Sequence, residues 1–506
     1  MTEDIRLDLG EDASDHADLK RRSVRGAAAT FGAQGIRFFM QFAAQIALAR
    51  LLTPEQFGIV AMVAPLIGLV QLFAELGLAQ AVIQRPSLTH RELSGLFWIN
   101  VAVSLGLAGL MVIASPLIAA FYNEPKTMAV TASLAIPLVL GGLAAQQMAL
   151  MNRRLQFVAL AAIDVGSTAA SAVVGILCAW YGLGYWSLVA MQVANNAVNL
   201  AAAWVTSGWR PGRPCLDAAV TPLLRFGGNV TGYNLVNYFS FNLDNVLIGW
   251  ASGVAALGLY NRAFRLLLPS IMQLTTPFTR ITVPLLSRLQ TEPDRYRNTF
   301  RQVLRALLLV TLPGLVWGIV FANEVIVTLL GARWQAAGPI FAALGAGSLL
   351  LPVNNGITWL FISQGRAREQ LIWGAAGSGI VLVSFVVGLP WGPVGVATAS
   401  AGFAWLIGAP LLFWAATRSG PVRLPDLMGT IAPIALAVLG AGVVLTLIPG
   451  GIWPSSVAGL AAALVGSYAA TAMMLACLPA GNRMLRDLWR LRYTLRPEQH
   501  AKPVNP

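Results

Sequence analysis

The sequence carries little charge for its length and few residues of the kind that build disulfide or metal sites. Only 11% of its 506 residues are charged and 57% are hydrophobic, whereas soluble domains carry about 25% charged residues. The three cysteines provide no disulfide framework. The three histidines lie far apart in polar segments and form no metal-ligand cluster. The composition excludes a soluble protein and predicts an integral membrane protein with no bound cofactor.

The positive net charge does not indicate a nucleic-acid partner, because the basic residues are scattered over short loops between apolar runs. About 14 of these runs reach the length of about 20 residues that crosses a bilayer. If the N-terminus is cytoplasmic, 26 of the 34 Lys and Arg residues lie on the cytoplasmic side, six lie within helices, and Lys126 and Arg333 lie outside. Because cytoplasmic loops are enriched in Lys and Arg, both termini are predicted to be cytoplasmic.

A repeat with an offset of 200 residues links two long helices of the chain. Residues 24–52 and 224–252 align without a gap, and each has polar residues along one helical face. The matched residues include Arg25 and Arg225, Gly32 and Gly232, Gln34 and Asn234, Gln45 and Asn245, and Gly58 and Gly258. A spanning helix with one polar face needs other protein or a water-filled cavity on that side. The repeat therefore predicts two lobes that face each other, as in transporters.

The predicted fold is an all-α integral membrane protein with two pseudo-symmetric six-helix lobes around a central cavity and two further C-terminal helices. A segment rich in Pro, Gly and Arg separates the lobes. The N-terminal tail is too polar for a signal peptide and is expected to be disordered. The predicted parts are a cytoplasmic tail (1–24), the N-lobe with helices 1 to 6 (25–208), a cytoplasmic linker (209–222), the C-lobe with helices 7 to 12 (223–417), helices 13 and 14 (418–480), and a basic cytoplasmic tail (481–506).

Two adjacent segments, LARLLTPEQFG at 48–58 and ELGLAQAVIQR at 75–85, resemble the polysaccharide-exporter branch of the multidrug, oligosaccharidyl-lipid and polysaccharide exporter superfamily. The sequence is similar to bacterial flippases that move undecaprenyl-pyrophosphate-linked oligosaccharides across the inner membrane for O-antigen, capsule or exopolysaccharide assembly. The resemblance implies alternating access and a cationic cavity that holds the lipid pyrophosphate. It also implies a lipid-linked oligosaccharide and membrane lipid as partners, with a polysaccharide polymerase and export machinery nearby. The last two helices are expected either to hold the lipid tail or only to anchor the protein.

Three arginines within the predicted helices are the candidate cavity cations that the resemblance implies. Arg37 lies near the middle of helix 1, and Arg262 and Arg265 lie three residues apart on helix 8. A guanidinium can bind phosphate through two hydrogen bonds, and an arginine at the bilayer centre costs about 2.5–3.5 kcal/mol on insertion scales. The alternatives are an ion pair of Arg37 with Glu75 or Asp244, and snorkelling of Arg262 and Arg265 to the outer interface.

Neutral polar and acidic residues form a second group of candidates. Gln34, Gln41, Asn234 and Asn237 can hydrogen-bond sugar hydroxyls, or else join helices to one another. Asp244 and Glu75 are expected to be the only acidic residues well inside the helices. An intramembrane carboxylate is either ion-paired or titrates, so these two are the candidates for coupling transport to protons or sodium ions.

The leading hypothesis is a flippase for lipid-linked oligosaccharides that performs no chemical reaction. A multidrug or cation antiporter of the same superfamily is an alternative, but its site should be acidic, and the helix interiors here carry more Arg than Asp and Glu. A membrane-embedded polysaccharide polymerase would need catalytic groups on a sizeable outer loop, and the predicted outer loops are only a few residues long. A structural scaffold would leave the two polar stripes without a reason.

Overall fold

The computed structural model describes residues 4–6, 13–75, 87–214, 221–447, 456–479 and 481–482, with the backbone alone at 4–6, 13–29, 31, 74–75, 87–88, 221–237 and 239–241. Helices make up nearly all of these residues. They are α1 (Ala13–Leu51), α2 (Pro54–Glu75), α3 (His90–Tyr122), α4 (Lys126–Arg153), α5 (Phe157–Trp180), α6 (Trp186–Ser207), α7 (Thr221–Arg288), α8 (Pro293–Val320), α9 (Ala322–Leu330), α10 (Ala337–Ser348), α11 (Leu351–Ser363), α12 (Ala367–Gly388), α13 (Gly392–Phe403), α14 (Ala409–Thr417), α15 (Leu424–Leu447) and α16 (Val457–Cys477).

Short non-α elements accompany these helices. Two three-residue strands, β1 (Asp4–Arg6) and β2 (Ser87–Thr89), pair antiparallel. Short 3-10 turns lie at Ala332–Trp334 and Leu389–Trp391, and a π turn lies at Ala404–Gly408. Within the described ranges the chain is therefore helical, as predicted, apart from these short elements.

Eleven helical stretches of the described residues are long and apolar enough to cross a membrane. Two of them, Asn242–Arg288 with 47 residues and Ala367–Thr417 with 51 residues, are each long enough for two crossings, since a helix rises 1.5 Å per residue and the hydrocarbon core is about 30 Å thick. α1 is not among the eleven, because polar residues interrupt its apolar run. The prediction of a multi-pass helical membrane protein is confirmed, and the number of about 14 crossings stays a prediction.

The chain divides into two compact units, Met1–Arg262 and Ala263–Pro506. In the first unit α1 packs against α5, α5 against α6, α4 against α6, and α3 against α4. In the second unit α8 packs against α15, α15 against α16, and α12 against α13. This division differs from the lobe boundary predicted at 209–222. The part of α7 up to Arg262 belongs to the first unit, and the rest of α7 belongs to the second.

α1 begins earlier than the predicted end of the N-terminal tail at residue 24. The helix starts at Ala13 and continues without a proline to Leu51. Residues 13–18, which belong to the segment 1–18 that was expected to be disordered, are therefore helical. Proline is the residue that most strongly breaks a helix interior, and its absence lets the spanning helix extend by several turns. Most of the basic C-terminal segment predicted at 481–506 lies outside the described residues.

α3 shows how local sequence sets the ends of a spanning helix. Thr89 caps its N-terminus: its side chain accepts from the Glu92 main-chain N–H, and the Glu92 side chain accepts from the Thr89 N–H. At the other end Asn123 adopts the left-handed conformation, with φ of 51°, which asparagine tolerates better than most residues. The chain turns there and enters α4 at Lys126 after a short turn.

The 200-residue repeat has a structural counterpart inside the first unit. α7 is interrupted at Gly253, where φ is 82° and ψ is −175°, a conformation that favours glycine. The break between α1 and α2 falls at residues 52–53, 200 positions earlier. Both copies of the repeat therefore form a helix, a break and a second helix, as the alignment without a gap predicts.

Candidate functional site

One face of α1 is polar and accessible, and the opposite face is apolar and accessible. Gln34 and Gln41 are exposed and Arg37 is partly exposed. Ile36 and Phe39, on the other side of the helix, are 53% and 71% exposed. In a membrane protein an exposed apolar face meets lipid, whereas an exposed arginine and glutamines require a water-filled cavity. The arrangement fits the predicted polar stripe of helix 1.

Arg37 pairs with a carboxylate of the neighbouring helix α5. Its Nη1 donates to Oδ2 of Asp164 at 2.8 Å, and both side chains are 38% exposed. The backbone carbonyl of Asp164 accepts from the hydroxyls of Thr168 at 2.7 Å and Ser167 at 3.2 Å. The guanidinium thus lies at an accessible position on the first unit, and Asp164 is its acidic partner among the residues that the structure describes.

Polar side chains continue from this ion pair along α5 towards α6. Asp164, Thr168 and Ser171 follow the i, i+4, i+7 spacing of one helical face. Asn195 of α6 donates to the Ser171 hydroxyl at 3.4 Å. We call this set the polar wall; it comprises Gln34, Arg37 and Gln41 of α1, Asp164, Thr168 and Ser171 of α5, and Asn195 of α6. The set holds one cation and one carboxylate, and Thr168 and Ser171 are buried. The accessible guanidinium of Arg37 and the exposed amides of Gln34 and Gln41 are the groups suited to an anion that carries hydroxyl groups.

Asp164 is the residue of this site that the sequence analysis missed. Asp244 and Glu75 are not the only acidic residues well inside the helices, because Asp164 lies two turns into α5, a candidate membrane span of mean hydropathy 1.8. A carboxylate in such an apolar run was the available signal. The structure pairs Arg37 with Asp164 rather than with Asp244, and the Glu75 side chain lies outside the described residues.

Asp244 lies in a buried hydrogen-bond cluster next to the break in α7. Its side chain is 2% exposed. Oδ2 accepts from the Tyr260 hydroxyl at 2.9 Å, and Oδ1 accepts from the backbone N–H and the side-chain amide of Asn245 at 2.8 and 3.0 Å. Asn261 donates to the Asn245 Oδ1 at 3.0 Å. These donors are neutral, and they tie the two segments of α7 on either side of Gly253 to each other.

Arg262 is buried rather than open to a cavity. Only 6% of it is exposed, its Nη1 donates to Oε1 of Gln45 at 3.2 Å, and its guanidinium lies 3.8 Å from the centre of the Phe57 ring. The structure therefore does not bring Arg262 to the accessible surface that Arg37 occupies. Arg265 belongs to the second unit and is exposed, and its role as a cavity cation stays a prediction.

Asn234 and Asn237 are the two asparagines of α7 that the sequence predicts as sugar ligands. The side chains of Asn234 and Asn237 lie outside the described residues, so their role also stays a prediction. Asn242 is described, and its amide donates to the carbonyl of Tyr238 at 3.0 Å. The Tyr238 hydroxyl donates to the carbonyl of Pro65 in α2 at 2.7 Å.

An apolar cavity of about 460 Å³ lies between α2, α3 and α7 within the first unit. Its lining includes Leu66 of α2, Leu117 and Phe121 of α3 and Val246 of α7. Leu117 and Phe121 are 72% and 51% exposed, so the rim of the cavity faces the bilayer. The lining is suited to hydrocarbon and not to a phosphate, and the polar wall is the better candidate for a charged headgroup.

The family model described as polysaccharide biosynthesis protein matches residues 47–339. The lipopolysaccharide biosynthesis protein WzxC of Escherichia coli K12 is 25% identical over 376 residues, 73% of this chain and 76% of the relative. The succinoglycan biosynthesis transport protein ExoT of Rhizobium meliloti is 27% identical over 475 residues, 90% of this chain and 93% of the relative.

Two solved structures share the fold. The lipid II flippase MurJ in its inward closed conformation superposes with a TM-score of 0.70 at 14% identity, covering 92% of this chain and all of its own. An inward-facing multidrug resistance transporter of the MATE family superposes with a TM-score of 0.55 at 14% identity, covering 78% of this chain and 96% of its own. These likenesses confirm the predicted transporter fold class.

Proposed function

Because the chain belongs to the polysaccharide biosynthesis protein family, we propose that it moves a lipid-linked oligosaccharide across the bacterial inner membrane. In this proposal it is a transporter and not an enzyme. Relatives named for lipopolysaccharide and succinoglycan biosynthesis support the substrate class. The resemblance seen in the sequence agrees with this family.

The observation that carries the proposal is the position of Arg37. The guanidinium lies on α1 opposite an exposed apolar face and beside the exposed amides of Gln34 and Gln41. With Asp164 as its partner in the empty site, it suits a pyrophosphate joined to sugars. A cationic drug would be repelled by the same guanidinium. Because Asp164 offsets this charge in the empty site, the sign of the charge does not decide between the two functions. The relatives named for polysaccharide biosynthesis and transport favour the flippase over the antiporter.

The transport cycle that we propose is alternating access. The glycan and its pyrophosphate enter the cavity from the cytoplasm and bind at the polar wall, while the lipid tail remains in the bilayer. The cavity then closes on the inner side and opens on the outer side. The repeat begins each of the two predicted lobes, and related lobes are what such rocking requires. In this proposal both termini stay in the cytoplasm throughout.

The transport cycle needs an energy source and a destination for the substrate. Asp244 is the candidate for binding a coupling proton or sodium ion, and Glu75 is the second. A polysaccharide polymerase and export machinery would receive the substrate after translocation. Asn234 and Asn237 are proposed to bind sugar hydroxyls from the second copy of the repeat, and Arg265 is proposed as a further cavity cation.

The experiment that tests this function is deletion of the gene followed by analysis of cell-surface polysaccharide and of its lipid-linked precursor. Loss of polysaccharide together with accumulation of the precursor on the cytoplasmic face is expected, and a wild-type copy should reverse both. Unchanged polysaccharide would contradict the proposal and would direct attention to uptake of cationic dyes.

A further inference from the structure

The guanidinium of Arg37 is already held by a carboxylate of the protein itself. The contact runs from Nη1 to Oδ2 of Asp164 at 2.8 Å. Among the hydrogen bonds of the described residues, this is the one that Arg37 makes. The other N–H groups of the guanidinium make no hydrogen bond to this part of the chain. A phosphate accepts best from two guanidinium N–H groups together, and it would have to do so beside the Asp164 carboxylate.

The exposure of the pair argues against a purely structural role. Both side chains are 38% exposed, and ion pairs that are this accessible contribute little to stability. The helix of Asp164 is held by its packing against α1 and α6 along its length. Loss of the ion pair should therefore leave the packing of α1 against α5 in place.

We infer that Asp164 is an internal competitor for the phosphate groups of the substrate. The Asp164 carboxylate neutralises Arg37 when the site is empty. When a phosphate binds, the carboxylate and the phosphate lie beside the same guanidinium and repel each other. The residue thereby limits how tightly the headgroup is held and favours its release on the outer side. The inference rests on the proposed function, and it identifies a residue of the same site that sets affinity.

The test measures binding of farnesyl pyrophosphate, an isoprenoid pyrophosphate, to the purified full-length protein by isothermal titration calorimetry. Asp164→Asn removes the charge and keeps the shape, and about tenfold tighter binding is expected, the change that about 1.4 kcal/mol of repulsion corresponds to. Glu124→Gln is the matched control, because it removes one negative charge at the turn between α3 and α4. Its affinity should equal that of the wild type.

Transport provides the second readout. Asp164→Asn should slow flipping in proteoliposomes at saturating substrate, because release of the headgroup becomes slower. If Asp164 had only a structural role, the substitution would instead lower affinity and thermal stability together. Unchanged or weaker binding by Asp164→Asn, with binding abolished in Arg37→Ala, would overturn the inference and leave the proposed function intact. Absence of binding by the wild type would overturn both.

Discussion

Gly58 packs against the main-chain carbonyl of Val254, and Gly258 packs in the same way against the carbonyl of Pro54. Both members of each contact are related by the 200-residue offset, so the contact is reciprocal, as in an interface with two-fold symmetry. Small residues allow such close backbone approach between membrane helices. The pseudo-symmetry predicted from the sequence thus appears as a physical contact at the two breaks.

Substitution of either glycine by alanine should destabilise the protein, because a Cβ at Gly58 or Gly258 would overlap a backbone carbonyl. Overpacking of this kind typically costs about 1–3 kcal/mol. Thermal unfolding in detergent provides the measurement. Gly106→Ala and Gly109→Ala are matched controls in a spanning helix, since a Cβ at either would meet no atom within 4 Å beyond its own helix backbone. Their stability should equal or exceed that of the wild type, because alanine is the better helix former.

Replacement of Arg262 by alanine should also lower stability, since it removes the hydrogen bond to Gln45 and the packing over the Phe57 ring. Lysine at this position should rescue only part of the loss, because it lacks the planar guanidinium that stacks on an aromatic ring. Detergent-solubilised melting curves would distinguish these variants. Arg333→Ala, at an exposed position, should behave like the wild type, and equal stability of Arg262→Ala would contradict the buried role.

Tyr260→Phe should weaken the buried cluster around Asp244. The substitution removes the donor to Oδ2, and a buried acceptor that loses its partner typically costs about 1–3 kcal/mol. Tyr181→Phe serves as the comparison, because Tyr181 is 80% exposed. A melting temperature for Tyr260→Phe equal to that of Tyr181→Phe would show that the hydroxyl contributes nothing to the cluster.

The proposed orientation predicts opposite accessibility of two turns. Single cysteines placed at Asn123, between α3 and α4, and at Gly365, between α11 and α12, should be labelled from the outside and from the cytoplasm, respectively. The background for both is the protein without its three native cysteines. Labelling of both positions from one side by an impermeant maleimide would contradict the alternation of loops and the cytoplasmic position of both termini.

Periodicity and composition were sufficient to predict the helical membrane fold and the repeat, because spanning length, polar stripes and the break at Gly253 leave direct traces in the sequence. The partner of Arg37 was not predictable in the same way. Asp164 lies 127 residues from Arg37 in the sequence. Whether Arg37 pairs with Asp164 or with Asp244 depends on which helices pack together. Arg262 illustrates the same limit, because its burial against Phe57 is decided by the close packing at Gly58 and Gly258.

The measurement that tests the central claim most directly is flipping of a fluorescent lipid-linked oligosaccharide by the purified protein in liposomes. The wild type should translocate it, and Arg37→Ala should lose nearly all of this activity while keeping its folded yield and melting temperature. Arg333→Ala, which removes an arginine outside the polar wall, should translocate at the wild-type rate. Wild-type flipping by Arg37→Ala would contradict the account.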